Sequence, residues 1–290
     1  MSTATSSRRV ANAATAAAPG KRLSLSDAVK TGKKLPSRLI FHGQAGIGKT
    51  SFAAQATSPL FLLSPGETGL HTLIDGGLLP EIPSLEIPTW DELLGVVDQL
   101  TTMDHVYRNL VIDTADGMEK ICNQYVCDTD FNGDWSEKGF IGFQRGYKVA
   151  AAGPWRSFLA ALDKLRETKR MGMILLAHTG IGNFQNPMGP DYNRFTPDMY
   201  KDAWQLTFGW TDIVLFGQRE VTVSKEKGDR KAKGYGGDAR IILTEYSAAA
   251  DAKNRHNLPP EIPMGDSPAE AWKNFIDAIA AGRRPRIGGE

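Results

Sequence analysis

The sequence predicts an α/β fold, a mostly parallel sheet flanked by helices, and three observations carry that expectation. The segment Gly43-Gln44-Ala45-Gly46-Ile47-Gly48-Lys49-Thr50 stands between the apolar run Leu39-Ile40-Phe41 and the helix-forming Ser51-Phe52-Ala53-Ala54-Gln55-Ala56. Short, continuous apolar runs recur at Leu60–Leu63, Leu110–Ile112 and Met171–Ala177, the pattern of strands buried on both faces. Between these runs lie stretches with helical caps and helical spacing, so strand and helix alternate.

Taken in order, residues 1 to about 20 are rich in Ala, Ser and Thr without apolar periodicity and read as a disordered basic tail. Lys21 to Ser37 is a polar connector, so the expected divisions are 1–37, a core at 38–260 and a C-terminal helix and basic tail at 261–290. Leu39 to His42 is the first strand and Lys49 to Ala56 the first helix. Leu60 to Leu63 is the second strand, and Ser84 to Ile87 a third. Thr89-Trp90-Asp91-Glu92 is a capping box that opens a helix through about Thr102. The run Asn109 to Asp113 is a strand ending in an acid, and Ala115 to Cys127 is helical. Asp128 to Lys148, with four glycines and several aromatics, reads as an irregular insertion. Gly153-Pro154 opens a helix with Pro in its first turn and Trp155, Phe158, Leu159, Leu162 and Leu165 on one face. Met171 to Ala177 is a strand, and 180–198, rich in Gly, Pro and Asn, a second long loop. A helix over Met199 to Phe208 precedes a strand at Asp212 to Phe216. Glu220 to Ser224 and Ala239 to Glu245 form a hairpin with a basic tip. Ser267-Pro268-Ala269-Glu270 is a capping box for a last helix reaching about Ala281.

The glycine-rich segment reads as a P-loop. Its glycines permit positive φ and let backbone N–H groups close around phosphate oxygens from Gly43 through Ser51. Lys49 reaches the β and γ phosphates and the Thr50 hydroxyl ligates Mg²⁺, so the expected ligand is a Mg-nucleoside triphosphate, with ATP as the expected cofactor and the base left open by the motif. A P-loop requires a second acid at a strand end to hold the metal, and Asp113 supplies it.

The P-loop is followed in order by Leu60-Phe61-Leu62-Leu63-Ser64-Pro65-Gly66-Glu67-Thr68-Gly69, Asn109 to Thr114, Met173 to Thr179, Thr211 to Gly217 and Ala252-Lys253-Asn254-Arg255. In that order the chain resembles the RecA-like NTPases. Within them it is most similar to the small phage single-strand annealing ATPases of the Sak group, over residues 38 to 260. That resemblance implies a RecA-like core and ATP-dependent binding of single-stranded DNA, with annealing or recombination of homologous strands. It implies that Glu67, which follows the strand Leu60 to Leu63 expected to lie beside the P-loop strand, activates the attacking water; Asp116 and Glu119, past Asp113, are fallback bases. Where relatives carry an acid before that glutamate, this chain has Ser64. His178, at the end of a buried strand, occupies the place of a γ-phosphate sensor. Lys253 and Arg255 look like the Lys-x-Arg finger of related replicative helicases, which acts on the phosphate held by a neighbouring subunit of a homo-oligomer, ring or filament.

For DNA, two surfaces are candidates. Phe184, Tyr192 and Phe195 of the loop could stack on unpaired bases beside Arg194, although aromatics in such loops equally serve local packing. The hairpin-tip cations Lys225, Lys227, Arg230, Lys231 and Lys233 suit phosphate contact, or simply solvate a tip.

The totals exclude several classes. The 290 residues carry a formal charge of +1, but residues 1 to 40 hold eight Lys or Arg against Asp27 alone, and 283 to 290 three Arg against Glu290. The remainder is acidic, and the basic ends are either solvated tails or nucleic-acid contacts. Cys122 and Cys127, the two cysteines, match neither a zinc nor a disulfide framework and suit a reducing compartment. No apolar stretch reaches membrane-spanning length, so a soluble, cytoplasmic protein is expected, in the host cytoplasm if phage-encoded. The leading expectation is a DNA-stimulated, Mg²⁺-dependent ATPase that pairs strands, with a single-strand DNA-binding protein as a further partner. The alternatives are a nucleotide-gated DNA or partner-binding module with negligible turnover and, below it, a helicase-like motor.

Overall fold

Alternation along the strands decides how the sheet is covered. In the computed structural model, which describes residues 35–224 and 233–282 (side chains at 221–236 and 238 excepted), Leu39 and Phe41 join one hydrophobic layer and Ile40 the other. Leu110 and Ile112 are likewise opposed to Val111.

The elements in chain order begin with β1 (Arg38–Gly43), α1 (Lys49–Ala53), β2 (Pro59–Leu63), α2 (Gly69–Asp75) and β3 (Ser84–Glu86). There follow α3 (Trp90–Thr102), β4 (Asn109–Asp113), α4 (Ala115–Asp130), α5 (Arg145–Ala150) and α6 (Arg156–Lys169). β5 (Gly172–Ala177) leads to β6 (Thr179–Phe184), β7 (Tyr192–Pro197) and α7 (Lys201–Trp210). The chain continues through β8 (Ile213–Ser224), β9 (Lys233–Leu243), β10 (Lys253–Asn254), β11 (Glu261–Pro263) and α8 (Pro268–Gly282). The main sheet runs β11-β9-β8-β1-β5-β4-β2-β3, with β10 also on β8. From β3 to β8 every pairing is parallel, while β9, β10 and β11 add antiparallel pairings. Phe52, Leu70 and Phe275 from α1, α2 and α8 cover one face, and Trp90, Met118, Phe158 and Trp204 from α3, α4, α6 and α7 the other. The predicted mostly parallel, helix-flanked sheet is the one observed.

At both predicted capping boxes the N-cap half is formed, while Glu92 Oε2 accepts from the Thr89 hydroxyl and Glu270 Oε2 from Asp266 N rather than from the N-cap N–H. Thr89 Oγ1 accepts from Glu92 N at 3.3 Å, and Ser267 Oγ from Glu270 N at 3.2 Å.

Several expectations are corrected. β2 does not lie beside β1: it pairs with β3 and β4, and the neighbours of β1 are β5 and β8. The "loop" 180–198 is a two-stranded antiparallel ribbon, β6–β7, whose turn holds Asn186, Pro187, Gly189 and Pro190, while Gly180, Gly182, Asn183 and Asn193 hide the strand pattern. The insertion 128–148 already becomes helical at Arg145, and a π-helical turn at Ala151–Trp155 joins α5 to α6. Pro154 therefore lies inside a helical run, where the wider turn relieves the bond its missing N–H cannot make. The separate strand and hairpin arm are one strand, β8, with an irregularity between Arg219 and Val221. α2 and β11, which have weak local signals, were not expected. The N-terminal tail through residue 34, the C-terminal tail 283–290, and Lys225, Lys227, Arg230 and Lys231 lie outside the described residues, and Lys233 is described by its backbone only.

One close approach sets up the site. A Cβ on Gly43 would stand 2.4 Å from the Gly217 carbonyl oxygen, and one on Gly217 would stand 2.8 Å from the Phe41 ring. The ends of β1 and β8 can touch only as glycines. Gly43→Ala should therefore cost about 2 kcal/mol, read as a lowered urea midpoint with unchanged slope; an unchanged midpoint would contradict the contact.

Candidate active site

The P-loop leaves β1 at the carboxyl end of the sheet, the edge where parallel α/β folds gather ligands. Gln44 N donates to Gly217 O at 3.2 Å, and Ile47 is fully buried, pinning the loop at two places. Gly46 and Gly48 adopt φ of 71° and 103°, left-handed conformations that glycine takes without strain, and between them Ile47 N donates to Gln44 O at 3.3 Å to close the turn. Ala45 and Gly46 are exposed at the tip, and Ser51 is half-buried in α1.

Lys49 Nζ donates to Gly43 O at 3.1 Å, across the mouth of the loop. Burial lowers its pKa, against the attraction of Asp113, Asp116 and Glu67. Beneath it, Thr50 Oγ1 donates to Asp113 Oδ2 at 2.8 Å. Burial raises the Asp113 carboxyl to about 6, partly offset by that hydroxyl and by Lys49. A carboxyl so placed gains from an arriving cation. Thr50 and Asp113 supply two hard oxygens, which suits Mg²⁺, an ion that takes its remaining ligands from water and phosphate. Among the described residues no cluster of three or more His, Cys, Asp or Glu could hold a metal.

β2 is remote from β1, yet the segment after it folds over the end of β4. Ser64 N donates to Asp113 O at 2.8 Å, and Ser64 Oγ accepts from Thr114 N at 3.1 Å. Ser64 is thus a clamp between the two strand ends. Glu67 Oε1 accepts from Gly69 N at 3.0 Å, and Oε2 lies 3.9 Å from His178 Nε2. His178 follows β5, the strand between β4 and β1. Its pKa is raised, chiefly by the hydrogen bond to Asp116, against burial. The structure thus brings Lys49, Thr50, Asp113, Glu67 and His178 to one edge.

Other candidates are placed differently. Asp116 is bonded to His178 rather than facing water, and Glu119 turns away to accept from Tyr200 N at 3.2 and 3.0 Å. Lys253 and Arg255 lie by the start of β8, at the end of the sheet opposite the P-loop. Lys253 Nζ caps α7 through Phe208 O and Gly209 O, while Arg255 is 52% exposed and 3.8 Å from Asp212. Arg194 is only 8% exposed, paired with Asp251 and Tyr246, and Phe195 stacks on Phe216 with centroids 5.2 Å apart. Both were candidates for DNA contact, weighed equally against local packing, and in the structure both are turned inward, where β7 packs against the core. Phe184 and Tyr192 pair with one another at 5.1 Å, beside exposed Ile181 and Met188.

His42 was missed. It is fully buried, with Nδ1 3.0 Å from Thr179 Oγ1 and Nε2 2.7 Å from Asp251 O, so the residue before the P-loop is tied to the β6–β7 ribbon. Burial lowers its pKa to about 4. A polar residue ending a buried strand was the available signal, since such a group must find partners.

A phosphate-type loop, a hydroxyl–carboxylate pair beneath its lysine and a parallel sheet with an extra strand between the two define a P-loop NTPase-type domain. The chain belongs to the AAA-domain family, whose model matches residues 35–256. Among solved structures, the crystal structure of the RadB recombinase is similar to it, with 11% identity, a TM-score of 0.38, and 72% of this chain and 80% of that chain covered. No curated protein matches the sequence. No helix among the described residues is long and apolar enough to cross a membrane.

Proposed function

We infer that the protein is an oligomeric, Mg²⁺-dependent ATPase that binds single-stranded DNA and promotes annealing or strand pairing. The observation that carries the nucleotide half is the Thr50–Asp113 bond beneath Lys49. Lys49 would hold the terminal phosphates, Thr50 and Asp113 the metal, and the second carboxylate oxygen of Glu67, Oε2, the attacking water. Bound Mg²⁺ would neutralise phosphate charge. The DNA half is supported by the position of the β6–β7 ribbon, which starts one residue after His178 and exposes Ile181 and Met188. Of the finger pair, Arg255 is the member with side-chain freedom to meet a neighbour's phosphate, and Lys253 the member that holds α7.

Glu67 Oε1 is already engaged by Gly69 N. That contact favours the second reading, a nucleotide-gated binding module with slow turnover. ATP hydrolysis measured with and without single-stranded DNA separates the two. The ATPase reading expects stimulation by DNA that disappears in Glu67→Gln while nucleotide binding persists. Trace turnover, unchanged in Glu67→Gln and with DNA binding intact, would select the module. Unwinding of duplex DNA would instead select a helicase-like motor.

A further inference from the structure

Beside the P-loop, a cavity of about 220 Å³ is lined by Ser64, Glu67, Thr114, Asp116, Lys120 and His178, among others. Asp116 is its most buried acid, 1% exposed, and each of its oxygens meets His178, with the Thr114 hydroxyl as a further partner. Oδ1 accepts from His178 N and Oδ2 meets His178 Nδ1, each at 2.9 Å. Two bonds to one residue, one to the backbone and one to the ring, fix the imidazole's position and its rotation. With Nδ1 so engaged, Nε2 is the nitrogen left for the cavity, 3.9 Å from Glu67 Oε2. The charged groups acting on the ring are Asp116 from α4, Glu67 from the segment after β2, Lys49 from α1 and, at the end of β4, Asp113, and Lys120 of α4 lines the same cavity.

We propose that Asp116 is the positioning residue of the site, holding the His178 ring with Nε2–H directed at Glu67 and at the terminal phosphate of a bound triphosphate. The proposal rests on the ATPase reading for its catalytic consequence, but the locked ring can be tested without turnover. Asp116 is buried and never touches the reacting atoms; it acts through His178. The arrangement has the logic of a carboxylate orienting a catalytic imidazole, here serving a donor rather than a base. The opposed shifts agree with it: Asp116 is lowered and His178 raised, each against the effect of burial.

The test uses the full chain labelled with ¹⁵N-histidine and three variants, Asp116→Asn, His178→Gln and the double substitution. In Asp116→Asn the titration midpoint of His178 should fall by about one pH unit. kcat for ATP should fall about tenfold with KM within about twofold. In the His178→Gln background the same change should cost less than about twofold, because its route of action is gone. An unmoved midpoint, or an equal loss in both backgrounds, overturns the proposal. Absence of hydrolysis in the unmodified protein would instead count against the ATPase reading and leave the titration to decide on Asp116. Should Asp116→Asn not fold, the unmodified protein decides: a downfield Nδ1 proton that disappears in His178→Gln is expected, and its absence refutes the locked ring.

Discussion

Lys49→Ala is expected to reduce ATP hydrolysis by about a thousandfold, about 4 kcal/mol of barrier, while leaving the fold intact. The ammonium is the group proposed to hold the terminal phosphates, and its hydrogen bond to Gly43 O serves the loop rather than the core. Its lowered pKa shows that burial opposes its charge in the free protein, so truncation removes an unfavourable desolvation and the melting temperature should fall little, if at all. Asp113→Ala should give a similar loss for a different reason, by leaving Thr50 without its carboxylate and the metal with one protein oxygen fewer. Steady-state hydrolysis, calorimetric ATP titration with and without Mg²⁺, and a thermal melt measure all three quantities. Hydrolysis that survives in Lys49→Ala would remove the basis of the proposed function.

The second large effect concerns stability against pH. Burial raises the Glu119 carboxyl from the ordinary 4.5 to about 8, even though Tyr200 N donates to it. A carboxyl raised on folding contributes stability that is complete below its unfolded pKa and is lost as the pH rises through its folded value. The window is thus about 4.5 to 8. Glu119→Gln keeps an oxygen for the Tyr200 N–H and removes the titration. Between pH 5 and pH 8.5, the unmodified protein should lose about 4 kcal/mol more than the variant, measured by urea unfolding at both pH values. Parallel losses would place the titration elsewhere. His42 has the opposite sign: lowered by burial to about 4, it contributes stability above its ordinary 6.5 that is lost as the pH falls toward 4. From 4.5 to 6.5 the two slopes oppose each other, so the loss from Glu119 should show undiluted only above 6.5.

Strands buried on both faces were legible because they are short, apolar and bounded, and the P-loop because each of its residue types has a mechanical reason. The N-caps at Thr89 and Ser267 were legible for the same cause. What failed was order within the sheet. Nothing local in Leu60–Leu63 says which strand it pairs with, so Glu67 was expected to follow a strand next to β1, whereas it arrives over the end of β4 through Ser64. Glycines at 180 and 182 concealed a ribbon, and Gln218 and Arg219 concealed the continuity of β8, because an antiparallel strand leaving the core shows solvent-facing polar residues. Of the candidate site, the residues that meet the P-loop were readable by type. The partner of His178 was not, since the distance from Asp116 is spanned only after β4 and β5 pair.

The position of β1 in the middle of the sheet has a consequence for how the chain acquires its shape during synthesis. Leu39 is in register with Ile174 on one side and with Ile213 on the other, so β1 has no neighbour in the sheet until β5, which begins only at Gly172, has been made. Such distant pairing slows folding and leaves a long interval in which apolar segments are exposed. Nascent chains ending before β8 should accordingly depend on chaperones and lack the finished nucleotide cradle.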